Sequence, residues 1–479
     1  MTLRNKVMTG LYWSTTMRIL AQGFTWAVTV VVIRLLSPAD YGLMAMAGVF
    51  ISFLGMLNEM GLGTVVVQKK DLKREELVAI FGLIMVVSLV FCVTMISASP
   101  LIASYYVEPQ LVKILLALSF IFLFSGLSVI PRSLLLRNLE YKKIATVEFI
   151  SAIAGSICTL IMALLGMGVW SLVGGYLSIR IVSMVGFYSF EPFWCFPRFN
   201  IKGMKEIFTF SGQITASRIL WYLYASAAAS LIVGKIMGKE ALGIYGVALM
   251  LASLPMEKVS GIINQVAFPA FSSIQDDVEL AGRHFLKAVR ILCVVAFPVF
   301  WGISSVSENI IDIFLGGKWH EAAVPLQIIA FVVPLRMIRN LMNPALIGLG
   351  RADVDLKNEI VGVVLVPIGF FVGSFYGLVG VSLVWALVFP VVFVINMESA
   401  RKVLKLTIGS VYREFWRPAI ASSVMYVSVF MIKKSILFSF PKMEILLVSI
   451  LTGAISYMII SFVVNKLVLF EAFYLFKNK

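Results

Sequence analysis

Fourteen stretches of about 20 mostly apolar residues, each closed off by charges or by Gly and Pro, decide what this chain can become. A run of that length is what a helix needs to cross a bilayer. In hydrocarbon, only helices and closed barrels satisfy every backbone N–H and C=O internally. Six runs lie between residues 11 and 190, six between 208 and 397, and two between 416 and 464. The bulk composition agrees: 60% of the 479 residues are hydrophobic and 14% are charged. Soluble domains carry about 45–50% apolar and about 25% charged residues. The expected fold is an all-α polytopic membrane protein of about 14 transmembrane helices. A soluble enzyme, a disordered chain and a nucleic-acid-binding domain are excluded. The first apolar run follows Arg4 and Lys6. At about 25 residues it is too long for a cleavable signal, and it reads as the first span.

An even number of spans returns both termini to one side. Charge in the connections says which side. The connections on the N-terminal side hold 26 Lys and Arg, and the opposite ones hold 8. The positive-inside rule places both termini in the cytoplasm, and much of the net charge of +15 becomes topology. No connection exceeds about 20 residues, which leaves no room for a soluble catalytic domain. Cys92, Cys158, Cys195 and Cys293 have no metal-site or disulfide spacing, and His284 and His320 each stand alone. There is no Walker A loop, no GxSxG, no HExxH and no CxxC. Asp276-Asp277 is the one adjacent Asp pair, and it reads as a solvated turn. The chain is expected to be a transporter rather than an enzyme, without a resident cofactor or metal.

The chain also repeats itself. Thr15, Arg18, Ile19 and Leu20 recur as Thr215, Arg218, Ile219 and Leu220. Farther on, Phe120 pairs with Phe331, Glu148 with Glu359, and Gly168-Val169 with Gly380-Val381. Spans 1–6 therefore match spans 7–12. An even repeat makes the two halves parallel, facing each other across a central cavity. The domains expected are 1–205, a six-helix bundle; 206–400, its repeat; and 401–479, an amphipathic linker with two extra helices and a cytoplasmic tail.

Charges within the spans are the candidates for function. A charge at mid-bilayer costs about 2.5–3.5 kcal/mol, so each should face protein or a hydrated cavity. Arg18, Arg180, Arg218, Lys258, Arg336 and Arg339 are basic; Glu59, Glu148 and Glu257 are acidic. The excess is cationic, and it suits a phosphate or pyrophosphate that guanidinium groups grip bidentately. The plainer alternative is structural: Arg18 can snorkel to the interface, Arg180 can pair with Glu148 or Glu59, and Lys258 adjoins Glu257. Arg336 and Arg339 share a helix face ahead of Asn340, Asn343 and Pro344. Glu59 with Asn58 is the candidate site for a coupling proton or sodium ion. Glu148 and Glu359, near span ends, read as helix-start residues. Pro298 reads as a hinge or a passive kink.

Several segments carry a family resemblance: Leu36-Ser37-Pro38-Ala39-Asp40-Tyr41-Gly42; Glu59-Met60-Gly61-Leu62-Gly63; Arg137-Asn138-Leu139-Glu140-Tyr141; Gly166-Met167-Gly168-Val169-Trp170; Ala267-Phe268-Pro269-Ala270-Phe271; and Gly317-Lys318-Trp319. In this order they resemble the Wzx-type polysaccharide flippases, in the branch like the colanic acid exporter. That superfamily also holds the lipid II flippase and the multidrug extrusion antiporters. The resemblance implies two six-helix bundles in a V that alternate between inward- and outward-open states. It implies flipping of undecaprenyl-pyrophosphate-linked oligosaccharide across a bacterial inner membrane for O-antigen, capsule or exopolysaccharide synthesis. It also implies a polysaccharide polymerase as partner; the chain itself is expected to be a monomer among membrane lipids, with no nucleic acid partner. Two alternatives remain open: a cation-coupled antiporter of small molecules, whose cavity would usually be acidic, and a lipid II flippase, which would share fold and charge.

Overall fold

The computed structural model describes residues 3–58, 63, 66–67, 74–195, 219–435 and 440–464, excepting the side chains of 3–12, 14, 58, 225 and 257–266. All regular structure among them is helical. Six helices make up the first half: α1 (Leu3–Leu35), α2 (Pro38–Asn58), α3 (Arg74–Tyr106), α4 (Gln110–Arg137), α5 (Tyr141–Leu164) and α6 (Val169–Phe190). The rest is α7 (Ala228–Ser273), α8 (Val278–Ser305), α9 (Ala323–Gly348), α10 (Ala352–Ser374), α11 (Gly377–Val403, with a π-bulge over Val384–Val388), α12 (Ile408–Ser435) and α13 (Lys442–Val464).

Thirteen of the described helices are long and apolar enough to cross a membrane. The expected runs 208–234 and 243–271 meet within one of them, α7. At 1.5 Å per residue its 46 residues would span about 69 Å, more than twice the hydrocarbon core. The chain solves this at Gly238, whose φ of +83° is open to glycine and costly for other residues. Beyond it the helix doubles back, for a Cβ on Gly234 would lie 3.1 Å from the Leu242 side chain. Eight residues along a straight helix would stand about 12 Å apart. Gly238 thus divides α7 into a short leg of ten residues and a long one.

The chain divides into two compact units. The first comprises Met1–Tyr222 with Gly234–Gly243, and the second Leu223–Val233 with Ile244–Lys479. The turn at Gly238 therefore belongs to the first unit. There Lys239 Nζ donates to Glu108 Oε2 at 2.9 Å.

Local chemistry explains where the helices start. Ser37 is the N-cap of α2, Pro38 takes the first helical position, and Asp40 stands three residues on. Asp40 Oδ2 accepts from the Ser37 backbone N–H at 2.9 Å, and Ser37 Oγ accepts from the Asp40 N–H at 3.3 Å. This is a reciprocal capping box with proline at the position where its missing N–H costs nothing. Asp277 caps α8 by accepting from Leu280 N–H at 2.9 Å. The expected solvated turn is thus also a helix cap.

In the second unit, α12 and α13, which lie beyond the repeat, pack on α8. Arg290 Nη2 donates to Glu414 Oε1 at 2.9 Å, and Tyr457 Oη donates to the Val294 carbonyl at 2.7 Å. Trp319 is fully buried.

A cationic cavity as candidate functional site

Five helices of the first unit, α2 to α6, surround a cavity of about 840 Å³. Its charged wall is built from three of them. α4 supplies Arg132 directly after Pro131, α5 supplies Glu148, and α6 supplies Tyr176, Arg180 and Ser183. Small residues bring α5 and α6 together: a Cβ on Gly155 would lie 3.0 Å from the Gly175 carbonyl oxygen. Close backbone approach of this kind is how membrane helices gain packing when lipid offers no hydrophobic drive. It sets Glu148 and Arg180, each on its own helix, into one chamber.

The charges are not balanced. Arg132 Nη2 donates to Glu148 Oε1 at 3.3 Å, and Arg18 reaches the other carboxylate oxygen from α1 at 3.6 Å. One carboxylate thus serves two guanidinium groups. Arg180 stacks over the Tyr176 ring, 5.6 Å from its centroid, and its buried Nε has no hydrogen-bond partner among the described residues. Counting Arg18, Arg132 and Arg180 against Glu148 leaves a formal +2. Side-chain exposure is 63% for Arg18 and 51% for Arg132. Ion pairs that open are worth about 0–1 kcal/mol, so both groups can turn to a stronger anion at little cost. Ser52, Ser125, Ser133 and Ser183 add hydroxyls to the wall. An arrangement with several guanidinium groups, hydroxyls and a net positive charge can bind a polyanionic head bearing sugars.

The second unit treats its buried charges differently. Arg339 Nη2 donates to Glu359 Oε1 at 2.5 Å, and these side chains are 7% and 2% exposed. The Tyr224 ring lies 5.7 Å from the guanidinium, and Asn343 Nδ2 donates to Asp355 Oδ2 at 2.8 Å. Arg336 packs on the Trp385 ring at 4.3 Å, and Trp385 Nε1 donates to Tyr245 Oη at 2.7 Å. This cluster is packed, with each carboxylate named here holding a hydrogen bond.

Of the residues singled out from the sequence, Arg18 and Arg180 belong to the neighbourhood of the cavity. Arg336 and Arg339 lie within the second unit's packed cluster. Arg218 and Glu59 fall outside the described residues. Asn58 ends α2 and Lys258 lies in α7, and the side chains of both are outside the description. Arg180 does not pair with Glu148, because Arg132 and Arg18 already hold that carboxylate. Glu148 is also not a helix-start residue alone: it sits two turns into α5 and lines the chamber. Sequence reasoning passed over Arg132 by counting it with the connecting charges. The signal was available, since Arg132 lies in an unbroken apolar run one residue past an intramembrane proline.

The chain is 28% identical over 432 residues to the lipopolysaccharide biosynthesis protein WzxC of Escherichia coli, covering 87% of this chain and 86% of that one. It is 25% identical over 428 residues to the teichuronic acid biosynthesis protein TuaB of Bacillus subtilis, covering 85% of each. Among solved structures, the lipid II flippase MurJ in an inward closed conformation superposes with a TM-score of 0.72 at 16% identity, covering 93% of this chain and 97% of that one. An inward-facing multidrug resistance MATE family transporter gives 0.60 at 14% identity, covering 80% and 96%. These structures share the fold, that of multi-pass helical transporters. The family model described as Polysaccharide biosynthesis protein matches residues 31–324, more than half of the sequence, and the chain belongs to that family of bacterial membrane proteins.

Proposed function

We propose that this protein moves a lipid-linked oligosaccharide, carried on undecaprenyl pyrophosphate, from the cytoplasmic to the outer leaflet of the inner membrane for surface polysaccharide assembly. The observation that carries the reading is the +2 chamber in the first unit, where Arg180 keeps a buried Nε without a hydrogen-bond partner among the described residues. Burying such a group uncompensated is costly, and a pyrophosphate oxygen supplies what it lacks. The lipid tail stays in the bilayer while the charged head and its sugars cross through the hydrated protein interior. A cationic chamber disfavours the antiporter alternative, whose substrates are cations. The charge asymmetry of the connections supports cytoplasmic termini.

Deletion of the gene in its host tests the proposal, with surface polymer and the leaflet of lipid-linked repeat units both assayed. The expected result is loss of polymer with repeat units held on the cytoplasmic side. Complementation with Arg180→Ala should leave that defect unrepaired at normal protein level. Repeat units that reach the outer leaflet without this protein, in a host lacking a redundant exporter, would reject the reading.

A further inference from the structure

A second cavity, of about 610 Å³, lies in the first unit and differs in every chemical respect. Phe81 and Met85 of α3 form one wall, and Met184 and Tyr188 of α6 the other, with Leu127 of α4 behind. The chain leaving α6 makes the floor. Phe193 packs edge-on against Phe81 at 5.7 Å between centroids, and Trp194 lies 4.9 Å from the Tyr188 ring. Trp194 is 79% exposed and Val185 is 54% exposed, so the pocket opens outward at the level of an interfacial aromatic pair.

The two cavities stand back to back on the same three helices. α3 turns Ile84 into the cationic chamber and Met85 into the apolar pocket. α4 does the same with Ser128 and Leu127, and α6 with Ser183 and Met184. Arg180 and Met184 are one helical turn apart on α6, so the cationic group and the wall of the pocket are neighbours. The arrangement is amphiphilic across one layer of helices, about 10 Å thick.

We infer that this pocket holds the isoprenoid chain of the lipid whose anionic head occupies the Arg132 and Arg180 chamber. The inference rests on the proposed function and adds a binding site for the tail. Hydrophobic transfer cannot select this chain, because bilayer tails are as apolar as the pocket. Packing can. Two methionines adapt to an irregular, methyl-branched chain, and aromatic rings lie against its double bonds. A straight saturated chain fills the same space less completely and forfeits dispersion contacts.

The test uses the full chain in nanodiscs of phosphatidylethanolamine and phosphatidylglycerol, with a diazirine-bearing polyprenyl pyrophosphate as probe. Labelling after illumination is mapped by peptide mass. The expected label falls on the peptides carrying residues 81–85 and 184–194. Unlabelled polyprenyl pyrophosphate should displace it, and the same excess of phosphatidylglycerol should not. Met184→Trp, which fills the pocket, should reduce labelling about fivefold or more. Val185→Trp, at the open rim, provides the same test should the first variant fold poorly. Label spread evenly over outward-facing helices such as α13, or displaced equally by phosphatidylglycerol, would overturn the tail site and mark the pocket as one for bulk lipid. Saturable labelling elsewhere that still depends on Arg180 would overturn the pocket while leaving the transport reading standing. No saturable labelling anywhere would sink both.

Discussion

Glu148 and Glu359 occupy matching places in the two halves of the repeat, and each holds an arginine from the preceding helix. Replacing each in turn by glutamine should separate their roles. The Arg339–Glu359 side chains are 7% and 2% exposed. With Glu359→Gln the guanidinium stays buried and loses its formal counter-charge. An uncompensated charge at membrane depth costs about 2.5–3.5 kcal/mol, and breaking a buried pair in soluble proteins costs about 3–5. Glutamine keeps one hydrogen bond, and Asp355 remains in the cluster, so the expected loss is about 2–3 kcal/mol. Glu148 is 33% exposed, and its pairs with Arg18 and Arg132 open to the chamber. Its replacement should cost within about 1 kcal/mol. Unfolding of the purified variants by a graded denaturing detergent, followed by tryptophan fluorescence, measures both. The double variant Arg339→Met with Glu359→Gln should recover at least half of the single-variant loss, because no buried charge is then left over. Equal losses for Glu148→Gln and Glu359→Gln, or a double variant no better than the single, would refute the distinction between an open and a closed pair.

Four further outcomes follow from the same geometry. Arg180→Ala should abolish transport at normal protein level and Arg180→Lys should keep part of it, read as surface polymer in a complemented deletion strain; full export by the alanine variant would remove the chamber's most exposed claim to function. Arg218→Ala, the repeat partner of Arg18, is expected to behave as Arg180→Ala does, and normal export would remove Arg218 from the anion site. Gly243→Ala would set a Cβ 1.8 Å from the Pro38 carbonyl oxygen, so the Gly238 turn must shift and stability should fall by about 1–3 kcal/mol, measured in the same detergent series. Asp312 lies in the segment between α8 and α9. Burial pushes its carboxyl pKa up, but hydrogen bonds from Lys442 and His320 outweigh that and hold it below the ordinary value. A carboxyl with a lowered folded pKa contributes its full stability above the unfolded value of about 3.9 and loses it as pH falls through the folded one. Stability followed from pH 5 downward should therefore drop less in Asp312→Asn than in the parent.

Much of the architecture was legible because the bilayer enforces it. Apolar length announced the spans, and Glu148 and Glu359, read as repeat partners, each hold an arginine of the preceding helix. The segments that carried the family resemblance turn out to be punctuation. Leu36 to Gly42 is a capping box, Asp277 is an N-cap, and Gly316 before Gly317-Lys318-Trp319 takes a φ of +90°. Such residues identify a fold, since helix ends tolerate few alternatives, and they say little about substrate. The site was harder to read because membrane depth does not reveal which way a side chain faces. Arg180 and Arg339 look alike in sequence, each a cation inside an apolar run. Only the crossing of α5 with α6, set by Gly155 and Gly175, leaves Arg180 in a chamber, and only the hydrogen bond to Glu359 closes Arg339 away. Arg132 was missed for the converse reason: near a span end, a cation that lines a cavity and one that marks topology have the same signature.

The repeat therefore carries one motif to two ends. In both halves a glutamate on one helix faces an arginine on the helix before it. In the second unit that arginine is committed, because removing its partner would strand a charge where water does not reach. In the first unit two arginines share one glutamate, and a third has a buried donor atom with no hydrogen-bond partner among the described residues. A phosphate-bearing ligand that displaces Glu148 from Arg132 exchanges a weak, solvent-screened pair for a bidentate one, and the released carboxylate still has Arg18. On the proposed reading, binding is then an exchange of partners at Glu148. Under the proposed function, that exchange would make the grip reversible: the anionic head is taken from the aqueous side and released when Glu148 returns to Arg132.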